Sequence, residues 1–154
     1  MTGTVQTTDE EQIRTMITER AEAQHRGDAA AIVAHYAPGA VRFDLAPPLA
    51  TTSSPATQAA GLQQWFTGFD GPVEFTVRDL TVTVGNDVAF SHSLSSLTAT
   101  PTGSPMPFTL WFRSTLGLRR IDGVWQITHE HKSTPFHMEM DESYSFRAAT
   151  DLQP

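Results

Sequence analysis

The feature that most constrains this chain is a change of hydrophobic period at Pro72. Before it, apolar residues recur at helical spacing. After it they alternate with a period of two through four runs: Val73 to Val84, Val88 to Ala99, Pro107 to Arg120 and Val124 to Lys132. Gly85-Asn86-Asp87 and Ile121-Asp122-Gly123 are tight-turn sequences, and Thr100 to Pro105 is a longer connection with Pro and Gly, so the runs predict an antiparallel meander. In the first run the apolar positions slip from odd (Val73, Phe75, Val77) to even (Leu80, Val82, Val84), which predicts a bulge near Arg78-Asp79 that bends the sheet. Helices followed by antiparallel strands predict the α+β class, with the helices on one face of a curved antiparallel sheet.

Ahead of the break, Thr8 to Arg26 reads as a helix. Thr8 and Glu11 fit a capping box, Ile13, Met16, Ile17 and Ala21 recur at helical spacing, and Gly27 stops it. Asp28 caps a second helix expected to run through Tyr36, with Ile32, Val33 and Tyr36 on one side, before Pro38 and Gly39 break it. Ala40 to Leu45 is a short strand candidate, and Ala46 to Ser54 is a Pro/Thr/Ser-rich surface loop placed to act as a lid. Ser54 and Pro55 suit the N-cap and first position of a third helix with the apolar edge Leu62, Trp65 and Phe66, ending near Gly68. Beyond Phe136 the weakly alternating Met138, Met140, Tyr144 and Phe146 suggest a tail that packs on a neighbour.

At 154 residues the chain is expected to be one domain, 1–154, with a core of about 8–136 and a tail of 137–154. The 39% hydrophobic content, nine Phe and three Trp suit a globular protein. A net charge of -7 with only 10 Lys and Arg argues against nucleic acid, whose phosphates need clustered cations. With no Cys, disulfides, thiolate metal sites and Cys nucleophiles are excluded. The polar stretch Met1 to Glu10 does not read as a secretory signal and no run is long enough to cross a bilayer, so no membrane partner and a cytoplasmic location are expected.

In the third strand run Phe108, Leu110, Phe112, Leu116 and Leu118 share one face, and Thr109, Trp111, Arg113 and Thr115 the other. Both carry large apolar groups, so the second face is expected to meet another copy of the chain in a homodimer. Titratable groups interrupt these patterns: His92 is in register with Phe90 and Leu94, His129 and His131 with Trp125 and Ile127, Arg113 with Trp111, and Asp44 closes the first strand candidate. Burying such groups unpaired costs about 1–3 kcal/mol or more, so Asp44, His92, Arg113, His129 and His131 are expected to converge on one cavity between sheet and helices. Arg113 pairing with Glu130 on a neighbouring strand is the structural alternative. His129-x-His131 completed by His92 or Asp44 as a metal site is another. No metal and no cofactor is the preferred expectation.

The segment YAPGAVRFD at Tyr36 to Asp44 resembles the second-helix exit and first strand of the ketosteroid-isomerase and SnoaL-like polyketide cyclase superfamily, with the nuclear-transport-factor-like fold. FSHSLSSL, LWFRSTLGLRRIDGVWQITHEHKSTPF and the three-helix start extend the resemblance over nearly the whole chain. The resemblance implies a cone-shaped pocket for a small organic molecule, carbonyl-containing or aromatic. In the isomerases the carboxylate eight residues after this Tyr is the general base, which implies that role for Asp44. Arg20 stands where those enzymes carry a Tyr donor and Thr115 near their Asp donor, departures that favour an anionic or enolic ligand over a neutral steroid. The expected chemistry is a cofactor-independent isomerase, cyclase or lyase. Asp44 would be its base, His129 or His92 its acid, and Arg113 or Arg20 its oxyanion stabiliser, with Tyr36, Trp65, Trp111, Thr115 and His131 around the ligand. A non-catalytic binding or association domain is the rival.

Overall fold

The first helix, α1 (Asp9–Arg26), starts where the capping box places it. The Thr8 hydroxyl accepts from the Glu11 N–H at 3.2 Å while the Glu11 carboxylate accepts from the Thr8 N–H at 2.8 Å, satisfying two amides that the helix itself cannot. It ends at Gly27, whose φ of 67° is open to glycine and strained for other residues. Ile13, Met16, Ile17 and Ala23 are the buried side of this helix. The computed structural model describes residues 7–52 and 54–154; the first six residues of the polar amino-terminal segment and Ser53 of the loop lie outside the described residues.

Asp28 caps α2 (Ala29–Val33) as expected, but the helix stops three residues short of Tyr36, which instead opens β1 (Tyr36–Phe43). Pro38 explains the difference: the ring disfavours helical conformation in the residue before it, so the chain must already be extended at Ala37. Pro38 and Gly39 are absorbed inside the strand, where the register slips between Tyr36 and Val41 and Gly39 takes φ 77°. After a loop tied back by the paired Arg42 and Thr51 backbones, α3 (Pro55–Phe66) starts on the Ser54 cap with Pro at its first turn.

The remaining strands, β2 (Phe69–Val84), β3 (Val88–Pro101), β4 (Phe108–Ile121) and β5 (Val124–Ser133), form the antiparallel meander that the turn sequences predict. The sheet order is β1-β5-β4-β3-β2. The one departure from an all-antiparallel sheet is β1, which pairs parallel with β5. Because α3 carries the chain from one sheet edge to the other, β1 and β2 never need to be neighbours. The expected bulge is present: the β2–β3 register shifts between Arg78 and Thr81, with Asp79 at φ 53°. α1 and α2 lie against the concave face, where Ile13, Met16, Ile17, Val33, Leu116, Leu118, Trp125 and Ile127 form the core. Beyond the sheet, Phe136–His137 and Arg147–Ala148 pair as a small ribbon whose connection leaves Met138, Tyr144 and Phe146 exposed. No helix among the described residues is long and apolar enough to cross a membrane.

Candidate functional site

Between α1, α3 and the concave face lies a cavity of about 580 Å³, within the range that holds a small organic molecule. Its walls differ along the strands. Trp65 of α3, Phe69 and Phe75 of β2 and Phe108 and Phe112 of β4 make an aromatic lining, with Trp65 and Phe69 ring centres 4.7 Å apart and Phe75 and Phe112 5.7 Å apart. The other end collects Arg20 from α1, Tyr36, Arg42 and Asp44 from β1 and the loop after it, and Glu130 and Lys132 from β5.

These six side chains form one network. Arg20 donates to the Tyr36 hydroxyl at 2.7 Å and to Glu130 at 3.1 Å, and Tyr36 donates to the other Glu130 oxygen. Lys132 stands 3.6 Å from both Glu130 and Asp44, and Arg42 lies 3.3 Å from Asp44. Burial alone would push the Glu130 carboxyl up, but the charges of Lys132 and Arg20, with hydrogen bonds from Tyr36 and Arg20, hold it down at about 2. Burial pushes the Tyr36 phenol up to about 12, with Glu130 adding to the shift against Arg20 and Lys132. Burial also works against the charge on Arg20 and Lys132, yet both are held above their ordinary values, Arg20 by Tyr36 and Glu130, Lys132 by Glu130, Tyr36 and Asp44. Near neutral pH Glu130 is therefore a carboxylate, Tyr36 a neutral phenol, and Arg20 and Lys132 are charged. Glu130, 3% exposed, is saturated by its donors, whereas the Asp44 side chain is 35% exposed and faces the cavity mouth.

The expected convergence of five titratable residues does not occur. Asp44 lines the cavity, as do Tyr36, Arg20 and Trp65; His92, Arg113, Trp111, Thr115, His129 and His131 lie on the opposite, convex face. For β3 and β4 the reason is alternation. Ser91, Ser93, Phe112 and Ser114 point inward, so His92, Trp111, Arg113 and Thr115 point outward. For β5 the reason is a second bulge. Leu118 pairs with Ile127 but Gly117 pairs with His129, leaving Thr128 without a partner and moving the inward set from Trp125 and Ile127 to Glu130 and Lys132.

On the convex side His129 donates Nδ1–H to the Val41 carbonyl at 2.8 Å, and Phe43 sits edge-on to His129 and His131 at 4.8 and 5.3 Å. Thr115 separates His131 from His92 along one row of the sheet, and Asp44 is on the other face, so the histidine metal site considered from the sequence is not assembled. No group of three or more His, Cys, Asp or Glu among the described residues could hold a metal ion. Arg113 faces Ser133 and Leu94 across its strands, and Glu130 pairs with Arg20 and Lys132 in its place.

The sequence reading missed Glu130 and Lys132 as site residues. The available signal was Gly117, a glycine inside an otherwise well-filled strand, which marks a bulge or a close approach. A Cβ placed there would meet the His129 Cβ at 3.4 Å.

A family model described as a SnoaL-like domain matches residues 13–137. Among curated proteins, none matches this chain. Solved structures similar to it include an NTF2-like protein of Pseudomonas putida KT2440, 32% identical, TM-score 0.77, covering 94% of this chain and 96% of that one. A ketosteroid isomerase-like protein of Erwinia carotovora atroseptica is 20% identical with TM-score 0.65, covering 82% of this chain and 97% of its own. An NTF2-like protein with a cystatin-like fold from Novosphingobium aromaticivorans is 16% identical with TM-score 0.67, covering 88% and 86%.

Proposed function

This chain belongs to the SnoaL-like domain family, and on that premise we propose that its cavity binds a small, ring-containing carbonyl compound and moves a proton next to the carbonyl without a cofactor. The observation that carries the reading is the division of one cavity into an aromatic wall and a charged end, with Asp44 as the carboxylate open to a ligand. Glu130 cannot serve as the base: with its carboxyl held at about 2, its oxygens hydrogen-bonded by Tyr36 and Arg20 and the Lys132 charge nearby, it has little tendency to accept a proton. Its role is to hold Lys132 beside Asp44. In the proposed step Asp44 takes the proton on the α carbon, the electron pair moves into the carbonyl to give an enolate, and the Lys132 ammonium meets the new charge on oxygen. The acid and stabiliser roles first expected of His129, His92 and Arg113 pass to Lys132, because those three side chains face away from the cavity.

The test needs no natural substrate. With 2-tetralone, a fused-ring ketone with acidic α protons, the protein in D2O is expected to accelerate exchange of those protons for deuterium, followed by proton NMR against the unfolded protein as control. Saturable binding of 2-tetralone without accelerated exchange would leave a binding pocket and remove the catalytic reading.

The convex face supports a second element of the reading, association with another copy of the chain. Phe43 is 37% and Phe90 49% exposed there; Phe43 packs against His129 and His131, Phe90 shares the face with them, with His92 and, further along the strands, with Trp111, and two such faces can cover each other about a two-fold axis. Light scattering coupled to gel filtration is expected to report a dimer at micromolar concentration, with Phe90→Glu weakening association by at least roughly tenfold. A wild-type monomer under those conditions overturns it.

A further inference from the structure

Resting on the reading of this cavity as a ligand site, we infer that its ligand carries an ionised oxygen group, a carboxylate or its equivalent, before any chemistry begins, and that this group docks on Lys132, Ser114 and Ser93. These three residues stand directly opposite one another on β5, β4 and β3, in a single row across the concave face, and all three line the cavity. Opposite side chains on adjacent strands are near neighbours, so a small group seated over Ser114, the middle member, can reach the Ser93 hydroxyl on one side and the long Lys132 side chain on the other.

Charge leaves room for an anion. The charged residues lining the cavity are Arg20, Arg42 and Lys132 against Asp44 and Glu130, three cations to two carboxylates. In a chain of net charge -7 this excess is a local feature that favours a negative ligand.

Donors are left over as well. The nearest carboxylate oxygens stand 3.6 Å from Lys132 Nζ, beyond a good hydrogen bond, so its three N–H groups are open to stronger acceptors. Among the described residues Ser114 makes no side-chain hydrogen bond, and Ser93 makes only a long contact with Ser95 at 3.4 Å. A ligand offering only apolar surface would leave all of these donors dry and unpaired, whereas a carboxylate accepts from several at once. The enolate of the proposed reaction fits alongside, because one ammonium can donate both to a carboxylate and to a neighbouring enolate oxygen.

Calorimetric titration with 2-naphthoate and with its neutral isostere 2-naphthamide separates charge from shape. Wild type is expected to bind the naphthoate at least roughly tenfold more tightly than the amide. Lys132→Met is expected to erase that preference. Since Lys132 also faces Glu130, the milder Ser93→Ala/Ser114→Ala pair provides an independent arm, expected to weaken naphthoate by about three- to tenfold and the amide by less. Equal affinity of the two compounds for wild type, or serine variants that bind naphthoate as wild type does, overturns the anion site while leaving 2-tetralone exchange, and with it the pocket reading, untouched. If neither naphthalene compound nor 2-tetralone binds, both readings fall.

Discussion

Replacing Glu130 with glutamine is expected to destabilise the folded chain by about 3–5 kcal/mol, because the change keeps the shape of the side chain but leaves Arg20 and Lys132 with buried charge no longer balanced. Urea unfolding at neutral pH measures it directly as a lower midpoint with little change in slope. Tyr36→Phe removes the hydrogen bond to the same carboxylate and the one that Arg20 donates to the phenol but leaves the charge balance intact, so it should cost less, about 1–2 kcal/mol. A loss for Glu130→Gln no larger than that for Tyr36→Phe would mean that the network is wetter and weaker than its geometry implies.

The pH dependence has a definite sign. The folded Glu130 carboxyl, at about 2, lies below its ordinary 4.5, so the folded chain binds fewer protons than the unfolded chain between those values. The contribution of Glu130 is therefore complete above about pH 4.5 and is lost as the pH falls through about 2. At roughly 1.4 kcal/mol per unit it amounts to about 3 kcal/mol. Tyr36 acts at the other end of the scale. With its phenol raised from 10 to about 12, its contribution is complete below about pH 10 and is lost as the pH rises through about 12. Glu130→Gln should flatten the acid limb of the stability profile.

The fold was legible in the sequence because its determinants are local. Thr8 with Glu11, Ser54 with Pro55, the turn at Asp122-Gly123 and the phase slip at Arg78-Asp79 each announce themselves within a few residues, and each is where the pattern puts it. Tyr36 was misjudged as helical because its apolar spacing continues that of Ile32 and Val33, although Pro38 forbids the continuation. The site was harder to read, because one unpaired residue decides which face each side chain joins.

Thr128 is that residue. Without its bulge, His129 and His131 would share the buried face of Trp125 and Ile127; with it, they turn outward and Glu130 and Lys132 turn in. The slip in β2 leaves a trace because both of its phases are apolar. The slip in β5 joins an apolar phase to a charged one, and in sequence Glu130 and Lys132 look like solvated positions. Asp44, Tyr36 and Arg20 were reached through the resemblance carried by Tyr36 to Asp44, even though β1 has a register slip of its own, whereas Ser91, Ser93 and Ser114 carry no signal in a strand until their neighbours are known.

Asp44→Asn is expected to lower the rate of α-proton exchange from bound 2-tetralone by about 10²–10⁴, the usual worth of a general base, equivalent to about 3–5 kcal/mol of barrier. Asparagine keeps the size of the side chain and can still receive a hydrogen bond from Arg42, but it cannot take a proton from carbon at neutral pH. The loss should therefore appear in kcat, with KM changed far less, since the aromatic wall that grips the ring is untouched. Asp44→Glu provides the complementary measurement. It restores a carboxylate but advances it by one methylene past Lys132 and Arg42, and a displacement of about 1 Å in a reacting group costs on the order of 10²-fold. Its exchange rate should fall between those of wild type and Asp44→Asn. If Asp44→Asn instead loses less than about tenfold, proton removal belongs to another group, and the pairing of Asp44 with Lys132 and Arg42 shapes the mouth of the cavity without taking part in the reaction.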